Sequence, residues 1–252
     1  MFAVGHLSLG YLFAKGSAKL LKQEVNLPLV FLFSMIPDVD ILIPGVEHRT
    51  ITHSIITATV IFIPLFIRYR SKAIPYFAAL AQHSLIGDFI TGGAQAQGAQ
   101  LLSPITSTWY GLPICIFSQT NIILEWSSFV AAGAVMLKTK DIQKLLKNHM
   151  LHPHLSVLTL TVLLPSLLYF PVSVPFELTH AYTLLIPHIA YLILFTLSII
   201  NVFKSIQRKP FSTRTTSQNP NLCYQSNETN RKHACMHPLS NSASPPLQLR
   251  RS

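Results

Sequence analysis

Three stretches leave this chain little choice of fold. Residues 120–137, 155–176 and 181–203 are each about long enough to cross a hydrocarbon core, and Glu125 and His188 are their one acidic and one basic side chain. A backbone in lipid must satisfy its own N–H and C=O groups, so such stretches read as helices. Four more apolar segments precede them, at 2–21, 27–44, 52–67 and 73–91. Those at 27–44 and 52–67 are short, which predicts helices that kink or reach part-way. The expected fold is all-α, a polytopic membrane helix bundle with six or seven apolar segments.

The charge distribution orders these segments. The chain of 252 residues carries a net charge of +10, which by itself would suit a nucleic-acid partner. Its lysines and arginines instead flank the apolar runs or lie in the last fifty residues, and no basic-aromatic face appears. No nucleic acid is expected. In a seven-span arrangement Lys15, Lys19 and Lys22, then Arg68, Arg70 and Lys72, then Lys138 to Lys147, then the tail from Lys204 share one side. The positive-inside rule makes that side the cytoplasm. The expected division is a membrane-embedded helical domain at 1–203 and a basic, disordered cytoplasmic tail at 204–252, since the tail's polar composition cannot bury a core. Three cysteines without a C-x-x-C pair define no disulfide framework.

On the opposite side the same topology collects His6, Asp38, Asp40, Glu47, His48, Arg49, His53 and Asp88. Only 11% of the chain is charged, so carboxylates and imidazoles gathered among apolar segments ask for a functional reason. Pro37 should stop or kink its helix, and an extended backbone beyond it would project Asp38 and Asp40 to one side. Thr52 is a candidate N-cap, which places His53 in the first turn of the next segment. Imidazoles beside carboxylates form the usual ligand mix for zinc and related ions. Arg49 offers a forked donor for a phosphate or carboxylate, and Glu47 is a candidate proton carrier. His83 and Asp88 end the fourth segment, but five residues apart they diverge by more than a third of a turn on a straight helix. Gly87 or a π-bulge must realign them, or one of them is not a ligand. The glycines after Asp88, with Trp109 and Tyr110, suit a loop over the site, as they suit an ordinary connector. Glu125 fits either a supporting carboxylate or a helix-packing hydrogen bond.

An early histidine, Pro-Asp-x-Asp, His-Arg-x-x-x-His-Ser, a later His and Asp, then Leu-x-x-Pro together resemble the YdjM-like family of membrane-bound, metal-dependent hydrolases. The resemblance covers residues 6–111, with a fainter similarity to zinc-dependent phospholipases C and nucleases. It implies His6, Asp38, Asp40, His48, His53, His83 and Asp88 as ligands of a divalent metal, zinc first and manganese or magnesium as alternatives. It further implies hydrolysis of a phosphoester or lipid-like substrate at the bilayer. The class opposed to it is a non-enzymatic membrane protein that uses the same cluster as an ion or proton site.

Overall fold

In the computed structural model the described residues are 1–92, 98–147, 153–173 and 179–208, all within one compact unit, Met1–Pro210. Regular structure among them is helical, apart from two isolated β-bridges. Helices α1 (Ala3–Leu20), α2 (Leu27–Met35), α3 (Ile55–Tyr69), α4 (Ile74–Gln82), α5 (Gln119–Lys138), α6 (Asp141–Leu146), α7 (Pro153–Ser173) and α8 (Leu185–Arg208) follow in order. Two stretches are long and apolar enough to cross a membrane, Gln119–Lys138 and Ala181–Ser205, and Pro153–Leu168 is a shorter apolar helix. Residues 209–252, with Cys223, Cys235 and the glycosylation sequon at Asn227, lie outside the described residues. So do 93–97 of the glycine-rich stretch and 148–152 of the connector before α7.

The packing inverts the rule for a protein in water. Large apolar side chains stand exposed along α3 (Val60, Ile61, Ile67), α7 (Leu158, Val162) and α8 (Ile186, Ile193). Polar and charged groups are inside, including Ser8, Ser34, Gln82, Glu125 and Asp141. Water would not reward that arrangement, because exposed apolar area is the cost that folding normally removes. Hydrocarbon imposes no such cost, and it drives polar groups to find partners within the bundle.

α1 is the axis, packed against α2, α4 and α5, while α7 and α8 pair beside it. The aromatic rings of Tyr11, Phe31, Tyr191 and Phe195 fill the joint between these layers. Ser8 and Tyr191 are hydrogen-bonded at 2.9 Å within it. At the C-terminal end of α1, Lys15 meets the buried Asp141 at 2.6 Å and the Tyr11 hydroxyl donates to the same carboxylate at 2.7 Å. Burial would push the Asp141 carboxyl up, but Lys15 and Tyr11 outweigh it and hold it below its ordinary range.

α1 and α2 approach closely at Gly10, where a Cβ would run into the Ser34 side chain. Gly10→Ala is therefore expected to lose about 1–3 kcal/mol through overpacking. A fall in the thermal unfolding midpoint, followed by circular dichroism in detergent, checks this; an unchanged midpoint refutes the close approach.

Candidate metal centre

Four local structures bring the polar residues to one end of the bundle. α2 stops at Met35, and a 3-10 helix over Ile36–Leu42 follows with Pro37 in its first turn. Proline has no N–H and opposes the carbonyl four residues earlier, so the α-ladder ends there. The segment is coiled where an extended chain was expected, yet Asp38 and Asp40 still serve one ring: they bracket His53 from its two edges. The next loop carries Arg49 in the left-handed region at φ 67, at a cost of roughly 1 kcal/mol for a side chain with a Cβ. Its backbone N–H donates to Asp40 Oδ2 at 3.2 Å, and its carbonyl accepts from Gln100 N–H at 2.9 Å.

His53 closes a short 3-10 turn, Ile51–His53, rather than lying in the first turn of α3. The N-cap of α3 is Ser54, whose hydroxyl accepts from Ile56 and Thr57 N–H. Thr52, expected as that cap, donates instead to Asp40 Oδ2 at 2.6 Å. His83–Asp88 form a π-helix continuing α4. One extra residue per turn brings positions five apart onto one face, which is how His83 Nε2 and Asp88 Oδ2 come within 3.5 Å.

Hydrogen bonds fix which ring nitrogens carry protons. His83 Nδ1 is 2.6 Å from the Ser34 carbonyl, which can only accept, so that nitrogen is the donor. His53 Nδ1 faces Asp40 Oδ2 at 3.2 Å and the Thr52 hydroxyl at 3.0 Å, and is likewise the donor. In neutral rings both Nε2 atoms are then bare lone pairs. They face carboxylate oxygens: His53 Nε2 is 3.3 Å from Asp38 Oδ1 and 3.3 Å from Asp88 Oδ2. His83 Nε2 is 3.2 Å from Asp38 Oδ1 and 3.5 Å from Asp88 Oδ2. Four acceptors converging without a proton repel one another. Asp88 Oδ2 is buried and has no hydrogen-bond donor among the described residues. Such a set needs a cation or two extra protons.

The spacing also suits an ion. Ligand atoms on a tetrahedral zinc at about 2.0–2.1 Å stand roughly 3.3–3.4 Å apart. The four histidine–carboxylate separations, 3.2–3.5 Å, bracket that value. Carboxylate or carbonyl partners on the far nitrogens of both histidines are the usual support for metal-binding imidazoles. Three groups here could hold a metal ion: His6 with Asp38 and His83, Asp38 with His48 and His53, and His53 with His83 and Asp88.

The remaining candidates surround this core. His6 stacks on His83 with ring centroids 3.6 Å apart, and its Nε2 lies 3.7 Å from Asp88 Oδ1. Gly87 makes room for it, since a Cβ there would overlap the His6 ring. His48 Nδ1 pairs with Asp40 Oδ1 at 2.9 Å, and its side chain is 40% exposed at the mouth of the cluster. Asp38 reaches solvent less, at 20%, while His53, His83 and Asp88 are enclosed. Arg49 is buried too; its guanidinium lies 3.3 Å from Asp88 Oδ1 and donates to the Thr91 carbonyl at 3.1 Å. Glu47 is not brought into the cluster. It is exposed, and its carboxylate makes no hydrogen bond or ion pair among the described residues.

Residues 98–113 lie over this end and are tied down. Tyr110 and Ala99 exchange backbone hydrogen bonds at 3.0 Å, Ile55 N–H donates to the Leu101 carbonyl at 3.0 Å, and the Ser54 hydroxyl donates to the Leu101 and Ser103 carbonyls. The described part of the expected loop is thus a pinned strap. Sequence reasoning did not single out Ser34, Gln82 or Thr91. Gln82, whose amide donates to the His6 carbonyl at 3.1 Å, was the most visible of these, as a polar residue beside His83 in an apolar run.

These features describe an all-helical protein suited to a membrane, with a buried His/Asp cluster that could hold a metal ion. The family model of the YdjM inner membrane protein matches residues 1–176, from α1 through α7, and the chain belongs to that family. Neither a curated protein nor a solved structure matches it.

Proposed function

We propose that this protein is a membrane-bound, metal-dependent hydrolase of a phosphoester, with a lipid-like substrate. The observation that carries the reading is the convergence of Asp38 Oδ1, His53 Nε2, His83 Nε2 and Asp88 Oδ2 at ligand-like separations. These four would hold one divalent ion, zinc first and manganese or magnesium as alternatives, with His6 and His48 at the edges. A bound ion of this kind lowers the pKa of a coordinated water to about 7, which makes a hydroxide near neutral pH.

The chain's own groups prepare the site. Asp40 and Ser34 fix the tautomers of His53 and His83, and Arg49 holds Asp88 so that its second oxygen faces the two rings. His48, exposed and bonded to Asp40, is better placed than Glu47 to exchange protons with water. Arg49, expected as a forked donor for a phosphate or carboxylate, is engaged with the Asp88 carboxylate and serves as its positioning residue. Exposed Val39, Ile41, Ile43 and Ile51 stand on the same short turns as Asp38, Asp40 and His53, and these apolar side chains favour a substrate delivered from the bilayer. Six or seven apolar segments cross or enter the membrane. The site faces the outer side and the chain after Phe203 lies on the cytoplasmic side, its first residues, to Arg208, completing α8 rather than starting a tail.

One observation favours a second reading, a non-enzymatic ion or proton site for transport or sensing. Three of the four converging side chains, His53, His83 and Asp88, are at most 1% exposed, which leaves little access for a substrate. The same separations would also suit protonated histidines paired with carboxylates. Hydrolysis of bis-p-nitrophenyl phosphate and of phospholipid mixed micelles by the detergent-purified chain separates the two. Turnover that requires added zinc, manganese or magnesium and disappears in His53→Ala supports the hydrolase. Stoichiometric metal with no turnover on either substrate supports the ion site.

A further inference from the structure

Away from the His/Asp cluster, α5 and α8 leave a groove of about 310 Å³. Its volume is in the range of ligand sites, roughly 300–1,000 Å³. Phe129, Gly133 and Met136 of α5 form one wall, Leu194 of α8 the other, and Ile142 and Leu146 of α6 close one end. Gly133 faces open space: a Cβ there would meet nothing within 4 Å. The closed end is firmly built, because Ser198 and Asn201 of α8 donate to the Leu145 and Leu146 carbonyls at 2.8 and 2.9 Å.

That end is also the basic end. Lys138, Lys140, Lys144 and Lys147 fall within ten residues around α6 and are exposed. The acidic group among them, Asp141, is buried and already taken, by Lys15 at 2.6 Å and by Lys144 at 3.4 Å. Lys138, Lys140 and Lys147 carry no ion pair among the described residues. An apolar groove with unneutralised ammonium groups at its end matches one kind of occupant, an apolar chain with an anionic head.

We propose that this groove binds an anionic phospholipid, an acyl chain lying along Gly133 and the headgroup phosphate among Lys138, Lys140 and Lys147. The proposal uses membrane residence and is independent of hydrolysis at the His/Asp cluster. An empty gap between helices forfeits dispersion contacts for the side chains that line it, and a lipid tail lying in the groove restores them.

Native mass spectrometry of the full chain in neutral detergent tests this, with dioleoyl-phosphatidylglycerol and dioleoyl-phosphatidylcholine added at equal concentration. Single-lipid adducts of the anionic lipid should exceed those of the zwitterionic one several-fold. Gly133→Phe should remove both adducts. Replacing Lys138, Lys140 and Lys147 together by Gln alters exposed side chains only. It should leave phosphatidylcholine adducts in place and erase the preference. Equal binding of the two lipids by the unaltered chain, or anionic preference that survives the triple substitution, overturns the proposal. So do undiminished adducts in Gly133→Phe.

Discussion

Asp88→Asn, purified in detergent beside the unaltered chain, is expected to lose its divalent metal while unfolding at the same temperature or higher. The reasoning follows the two oxygens of Asp88. Oδ1 faces Arg49 at 3.3 Å, and an asparagine carbonyl can still accept there. Oδ2 faces His53 and His83 Nε2, and the asparagine amide would place N–H groups against those two lone pairs. The substitution thus removes one anionic ligand and supplies the protons that the empty cluster needs. Elemental analysis should fall from about one ion per chain to almost none. Asp88→Ala would lose the metal too, but it strands a buried guanidinium, at a cost of about 3–5 kcal/mol. Full occupancy in Asp88→Asn would remove Asp88 from the ligand set.

Asp40→Asn is expected to weaken metal binding about 10–100-fold without abolishing it. Asp40 accepts from the His53 ring, from Thr52 and from the Arg49 backbone, and it pairs with His48. Under the proposed function it would act on an ion through His53, by holding the tautomer whose Nε2 carries no proton. Competition with a chelator of known affinity measures the loss, and Glu47→Gln in the same assay should match the unaltered chain. A loss as complete as that of Asp88→Asn would move Asp40 into direct contact with the metal.

Much of this site was legible in the sequence because polar side chains in an apolar chain cannot hide. His6, Asp38, Asp40, His48, His53, His83 and Asp88 were all visible as candidates, and they do converge. The five-residue gap between His83 and Asp88 announced a problem and its two remedies, and the π-helix is one of them. Local capping was read less well. Thr52 and Ser54 both make good caps, and the choice fell to Ser54 because Asp40, a residue distant in sequence, claimed the Thr52 hydroxyl. Asp38 and Asp40 were expected on an extended chain, since sequence marks the break at Pro37 but not the 3-10 turn that follows. The Ser34 carbonyl that orients His83 had no signal, because a backbone acceptor is the same in every residue. Glu47 sits beside His48 in sequence, but the loop that turns at Arg49 leaves it outside.

The carboxylate of Glu125 closes the structure in a way that bears on biosynthesis. It accepts from the backbone N–H groups of Phe2 and Gly5 at 2.5 Å each, and so satisfies the start of the helix that carries His6. Its partners precede it by 123 and 120 residues. At common elongation rates the ribosome needs on the order of ten seconds to cover that distance. The histidine is made well before Glu125, so its helix end is secured only after α5 has followed it out of the ribosome. The clustered residues from His6 to Asp88 are therefore all present before the bundle can hold them in place.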